Sequence, residues 1–169
     1  MAEPEQVPRT GRNESAEERL DRNWMELIQE LRVLQTGVQI LGGFLLTLPF
    51  QSRFETLDDW QLNLYLFNVM VAALTTALIL IPVSVHRRLF RRGMKAVLVA
   101  NGDAITKWAL GGVALLIVGS AALVYDVTAG RNAGLMAGGA IVLVLLLLVV
   151  GMPLWLQRRA TRRIPIKDE

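Results

Sequence analysis

Apolar residues fall in four long blocks, 33–50, 62–85, 108–124 and 133–156, with polar residues filling the spaces between them. None of the four blocks contains Asp, Glu, Lys or Arg. A helix rises about 1.5 Å per residue, so each block with its flanks covers a hydrocarbon core of about 30 Å. Backbone groups in hydrocarbon must be satisfied within the segment or by closing a barrel, and blocks this long and uniform predict helices. Ahead of the first block, Leu20, Trp24, Leu27, Leu31, Leu34, Val38 and Leu41 recur at spacings of four and three. That is one helical stripe, and it runs from charged surroundings into the first block without a break. Ser15-Ala-Glu-Glu18 reads as its capping box, with Ser15 as N-cap and Glu18 reaching back. The expected element is an amphipathic stem over 15–32, continuous with the first span. Its face Leu20, Trp24, Leu27 and Leu31 would serve self-association or a membrane-protein partner.

The connections carry the orientation. Residues 1–14, with Pro4, Pro8 and Gly11, read as a disordered tail, and 157–169 as a basic one. Between the second and third blocks, 86–92 is expected to prolong the second helix, with Gly93 breaking it and Met94 restarting it. Asn101-Gly102 offers an alternative turn. Short connections at 51–61 and 125–132 predict antiparallel pairs for helices one and two and for three and four. Lys and Arg number five up to Arg32, six over 85–107 and five after Leu156, against Arg53 and Arg131 alone in the other two connections. Basic residues stay in the cytoplasm, so both termini are expected there, with 15–156 forming a four-helix transmembrane domain.

Composition agrees with that reading. Hydrophobic residues make up 53% of the 169, more than a water-soluble domain of this size can hide. The expected fold class is all-α, a four-span protein of the plasma membrane. The net charge of +3 raises the question of nucleic acid, but the basic residues sit at span ends without an aromatic-interleaved surface. Arg87, Arg88, Arg91, Arg92, Arg158 and Arg159 are instead expected to meet anionic lipid head groups, each contributing about 1 kcal/mol near the membrane surface. Cysteine is absent, which removes disulfides and thiol chemistry. The one histidine, His86, stands beside Arg87 and Arg88, and no His/Cys/carboxylate spacing completes a metal site. With no nucleophile elbow or phosphate loop either, neither an enzyme nor a cofactor is expected. The acidic start, Glu3, Glu5, Glu14, Glu17 and Glu18, is not that of a secretory signal.

Polar residues inside the blocks each admit two readings. Gln35 and Gln39 share one face of the first helix. They would line a pore or ligand site in an oligomer, or make interhelical hydrogen bonds. Asn68 poses the same choice, and its structural reading is a bond to a neighbouring helix. Thr75 and Thr76 can bond back to their own helix. Gly134 and Gly138 form a GxxxG spacing, and Ala73 and Ala77 a weaker one, suited to packing within a protomer or to dimerisation. Glu55, Asp58 and Asp59 would gather cations at a pore mouth or, preferably, cap the second helix. Asp126 and Arg131 read as a local exposed pair worth little.

The stretch Glu30-Leu-Arg-Val-Leu-Gln35-Thr-Gly37-Val-Gln39-Ile-Leu, with Phe44-Leu-Leu-Thr-Leu-Pro49-Phe-Gln-Ser-Arg53-Phe54, resembles a family of small actinobacterial membrane proteins known as a domain of unknown function. Ile81-Pro82-Val83, His86-Arg87 and Phe90-Arg91 resemble its second block. The resemblance covers most of 15–156 and implies four helices in an actinobacterial plasma membrane. It places Gln35, Gln39, Pro49, Arg53, His86 and Arg87 in recurring blocks, and some relatives carry a sodium/proton antiporter label. Cation/proton exchange needs an ionisable group within the membrane, and the four apolar blocks hold none.

Overall fold

The structure, a computed structural model, describes residues 15–89 and 95–163, with the side chains at 16, 17, 83, 85–101 and 160–163 left aside. All regular structure among the described residues is helical: α1 (Ala16–Thr47), α2 (Asp59–Leu89), α3 (Lys95–Ala129), α4 (Arg131–Leu146) and α5 (Met152–Arg163). Two 3₁₀ turns, Leu48–Phe50 and Ser52–Thr56, join α1 to α2, and a π turn, Leu147–Gly151, joins α4 to α5. Among the described residues, four stretches are long and apolar enough to cross a membrane: Glu18–Phe50, Asp59–Pro82, Gly102–Ala129 and Arg131–Arg159. The predicted tails at 1–14 and 164–169, the break at Gly93, and Arg91 and Arg92 lie outside the described residues.

Each helix boundary has a local cause. At the start of α1, Glu18 N–H donates to Ser15 Oγ at 3.2 Å and Ser15 N–H donates to Glu18 Oε2 at 2.8 Å, closing the capping box. The helix ends ahead of Pro49, which has no N–H to continue the ladder. Asp58 and Gln61 repeat the capping exchange at α2: Gln61 N–H donates to Asp58 Oδ1 at 2.8 Å and Asp58 N–H to Gln61 Oε1 at 3.1 Å. Of the two readings for the acidic connection, the capping one describes Asp58. Only Gly130 separates α3 from α4, and its φ of +93° is one that side-chain-bearing residues rarely adopt. Proline at 153 removes the i−4 bond to Val149, and the helix widens into the π turn just ahead of it.

α3 is the centre of the bundle. It packs against α1, α2 and α4, and α1 also packs on α2. The core runs along these contacts through Leu27, Leu31, Val38 and Leu45 of α1, Tyr65, Ala72 and Ile79 of α2, and Ala109, Leu116 and Leu123 of α3. The antiparallel pairs α1/α2 and α3/α4 are those expected from the short connections. Asn101-Gly102 makes no turn, because α3 runs unbroken through it. A Cβ at Gly102 would stand 2.7 Å from Leu27 Cδ1, so the glycine serves the close approach of the α1 stem instead. The Phe54 ring meets Tyr65 edge-on at 5.0 Å, which ties the second 3₁₀ turn back onto α2.

Candidate functional site

Buried polar groups gather along the α2–α3 contact. Gln61, Asn68 and Thr75 follow one another at seven-residue steps on α2, and Asp126, Gly119 and Gly112 at the same steps on antiparallel α3. The pairing is specific at each level. Gln61 Nε2 donates to Asp126 Oδ1 at 2.7 Å. A Cβ at Gly119 would collide with the Asn68 amide, and one at Gly112 with the Thr75 hydroxyl. Two glycines thus let the backbone of α3 close onto polar side chains of α2. Each turns a Cα–H towards an oxygen, a weak contact that recurs where membrane helices approach closely.

Asn68 is fully buried, and its amide donates to Leu64 O of its own helix at 2.8 Å. The expected bond to a neighbouring helix is not made, because the position opposite is Gly119, which has no side chain to bond. Asn68 Oδ1 and the buried Ser120 Oγ find no hydrogen-bond partner among the described residues. Thr76 bonds back to Ala72 O at 2.8 Å.

At the end of the bundle bearing the two short connections, the seam closes in a clamp. Arg131, the first residue of α4, donates from Nη2 to Asp58 Oδ2 at 2.6 Å and places Nε 2.8 Å from Asp126 Oδ2, an ion-pair contact without a well-aligned hydrogen bond. Its guanidinium also lies 5.2 Å from the centre of the Trp60 ring. Asp126 is only 4% exposed at its side chain. Of the pair read from sequence as local and exposed, Asp126 is therefore buried while Arg131 stays partly exposed and links α3 and α4 to the cap of α2, because α3 extends through Asp126 and carries it inside. Backbone donation from Gln61 N–H, and then the charge of Arg131, holds the Asp58 carboxyl below its ordinary value near 3.8 despite some desolvation.

The other predicted residues lie elsewhere. Gln39 is exposed and Gln35 half-buried on α1, with no side-chain hydrogen bond to either among the described residues. Gln39 borders a cleft of about 320 Å³ between α1 and α2, together with Gly42, Gly43, Ala73 and Thr76. Leu27 and Leu31 are buried inside the protomer, while Trp24 is half-buried against the same core. Leu20 is half-buried as well. Arg158 and Arg159 are exposed on α5, which continues as helix into the predicted tail, and Arg159 stacks 3.9 Å over the Trp155 ring. Side chains of Arg87 and Arg88 are outside the described set. Gly134 and Gly138 face α3, where a Cβ would meet Asp126 and Ala122, so this GxxxG packs helices of one protomer.

Gln61, Ser120, Asp126 and Arg131 carry the seam and clamp, and sequence reasoning assigned none of them to a site. For Gln61 and Asp126 the signal was the shared seven-residue step, visible only once α2 and α3 are set side by side; Ser120 and Arg131 lie off that step. No group of three or more metal-ligating side chains occurs among the described residues. No curated protein and no solved structure matches the chain. A family profile matches it over residues 13–153, most of its length, and the protein belongs to that family of unknown function, DUF6328.

Proposed function

We propose that this protein is a non-enzymatic, multi-pass protein of the plasma membrane, with both termini in the cytoplasm. It acts as an accessory subunit that associates with itself or another membrane protein and holds anionic lipid on its basic face. The observation that carries this reading is the division of charge. The two short connections hold only Arg53 and Arg131 of the basic residues, and all others lie towards the opposite end or in the flanking segments. That asymmetry orients membrane proteins and attracts anionic head groups. The polar side chains inside the bundle support a structural role for them, since most bond within the protomer and the buried carboxylate Asp126 is paired with Arg131 and Gln61.

The test is the mass of the protein in lipid nanodiscs, with identification of the lipids that co-purify from membranes of mixed phosphatidylglycerol and phosphatidylcholine. Association with itself or a co-purifying subunit, and enrichment of the anionic lipid, are the expected results. A lone monomer indifferent to lipid charge would end the proposal. A second reading, an oligomeric channel or cation-transport subunit, draws on the outward position of Gln39, whose amide has no hydrogen-bond partner among the described residues. It requires a ring with α1 at its axis, and an absence of ion flux in reconstituted vesicles would remove it.

A further inference from the structure

α4 meets α3 closely only near the short-connection end. At Gly134 and Gly138 the backbones approach within a side chain's thickness. Further along, the helices leave between them an apolar cleft of about 480 Å³, open at the side, with Gly111 and Val118 on one wall and Val142, Val149 and Val150 on the other. A Cβ added at Gly111 would meet nothing within 4 Å. Val149 and Val150 belong to the π turn, the one irregular segment of this helix. Such turns inside helices occur frequently at functional sites.

The mouth of the cleft is basic. Lys107 borders it, its ammonium 2.7 Å from Asp103 Oδ2 in a pair exposed on both sides. An exposed pair of this kind holds little energy, so a phosphate can take the ammonium over. The register set by Gly134 and Gly138 places Arg158 and Arg159 of α5 beyond the level of Lys107, towards the same end of the bundle. Among the described residues of α3 and α5 near that level, the cations Lys107, Arg158 and Arg159 outnumber the carboxylate Asp103. Trp155, half exposed beneath Arg159, is the kind of aromatic residue that settles at the head-group level. From Lys107 to Val118 the cleft runs along α3 for roughly 16 Å, close to one leaflet of a core about 30 Å thick.

We infer that the α3–α4 cleft binds one anionic phospholipid of the cytoplasmic leaflet, with an acyl chain between Gly111 and Val150 and the phosphate at Lys107, Arg158 and Arg159. The inference rests on the proposed orientation and basic face, and deepens them by naming the site. Charge and length together select this occupant. A second copy's helix would fill the apolar walls as well, and its dimer mass separates it from a lipid in the test that follows.

The experiment is native mass spectrometry of the full chain released from nanodiscs of equal phosphatidylglycerol and phosphatidylcholine. Wild type is expected to retain phosphatidylglycerol preferentially. Lys107→Gln, on an exposed residue whose loss does not threaten folding, should lower that preference about fivefold, the effect of one charge near an anionic surface. Gly111→Phe, which fills open space, should abolish retention, while Gly139→Phe, equally open but outside the cleft, should leave it unchanged. Phosphatidylglycerol retained equally by wild type and Gly111→Phe, yet lost on neutralising Arg158 and Arg159, would overturn the cleft and keep the basic-face reading. No lipid preference in wild type would overturn both. Loss of a dimer mass rather than of lipid in Gly111→Phe would overturn the lipid in favour of a second copy.

Discussion

A single hydrogen atom decides whether α2 and α3 can meet at Gly119. Replacing it with a methyl group drives a Cβ into the Asn68 amide. Overpacking of this kind costs about 2 kcal/mol, so Gly119→Ala should melt earlier in detergent than wild type. Asn68→Ala/Gly119→Ala should recover part of the loss, since the second change removes the obstacle. If the double variant is no more stable than Gly119→Ala, the clash is not the cause. Asp126 is a second such point. Arg131→Gln would leave a nearly buried carboxylate short of a cation, at a cost of about 2 kcal/mol after allowing for the exposed side of Arg131. Adding Asp126→Asn should restore much of it, and an additive pair would refute the coupling. Asp58 gives the clamp its acid sensitivity. Its folded-state value is depressed, so its contribution is present above its ordinary value near 3.8 and is lost as pH falls through the lowered one. The difference in melting temperature between wild type and Asp58→Asn should therefore hold steady at neutral pH and shrink only below about pH 4.

Whole helices depend on these contacts unequally. α1 and α2 each pack on α3 and on one another, but α4 has comparable packing with α3 alone. Its docking thus rests on Gly134, Gly138 and the Arg131 clamp. Gly134→Leu would push against Asp126 and the Ala122 carbonyl, whereas a Cβ at Gly139 meets nothing. The expected outcome is that Gly134→Leu exposes α4 to limited proteolysis near Gly130 and Gly139→Leu does not. Equal cleavage of both would mean that α4 is held elsewhere. The stem behaves differently from an anchor waiting for a partner. Its Leu27 and Leu31 are already covered by the protomer, and what it still offers another protein is the half-buried edge at Leu20 and Trp24.

For the molecule as a whole, the charge asymmetry makes a prediction about sidedness. The chain has no cysteine, so each introduced thiol is unique. In intact cells, Glu55→Cys should react with a membrane-impermeant maleimide and Arg159→Cys should react only after lysis. The reverse pattern would invert the proposed topology and move the lipid cleft to the outer leaflet.

The sequence alone determined the number and approximate extent of the apolar helices, the Ser15–Glu18 cap and the pairing of neighbours. These depend on local hydrogen bonding, block length and connection length, all of which are written along the chain. It underestimated where helices end, because Tyr125–Val127 and Ala129 lie beyond the apolar block yet continue α3. Which face of each helix turns inward was decided only in the tertiary structure. In a lipid setting the outward face is as apolar as the inward one, so hydropathy carries no sign that separates Leu116, fully buried, from Leu115, exposed. Gln61, Asn68 and Asp126 became one seam, while Gln39 stayed outside, because α3 placed glycines and a carboxylate opposite α2 at matching steps. Whether a polar side chain is buried depends on what the neighbouring helix brings to the same level, and that is a property of two segments together.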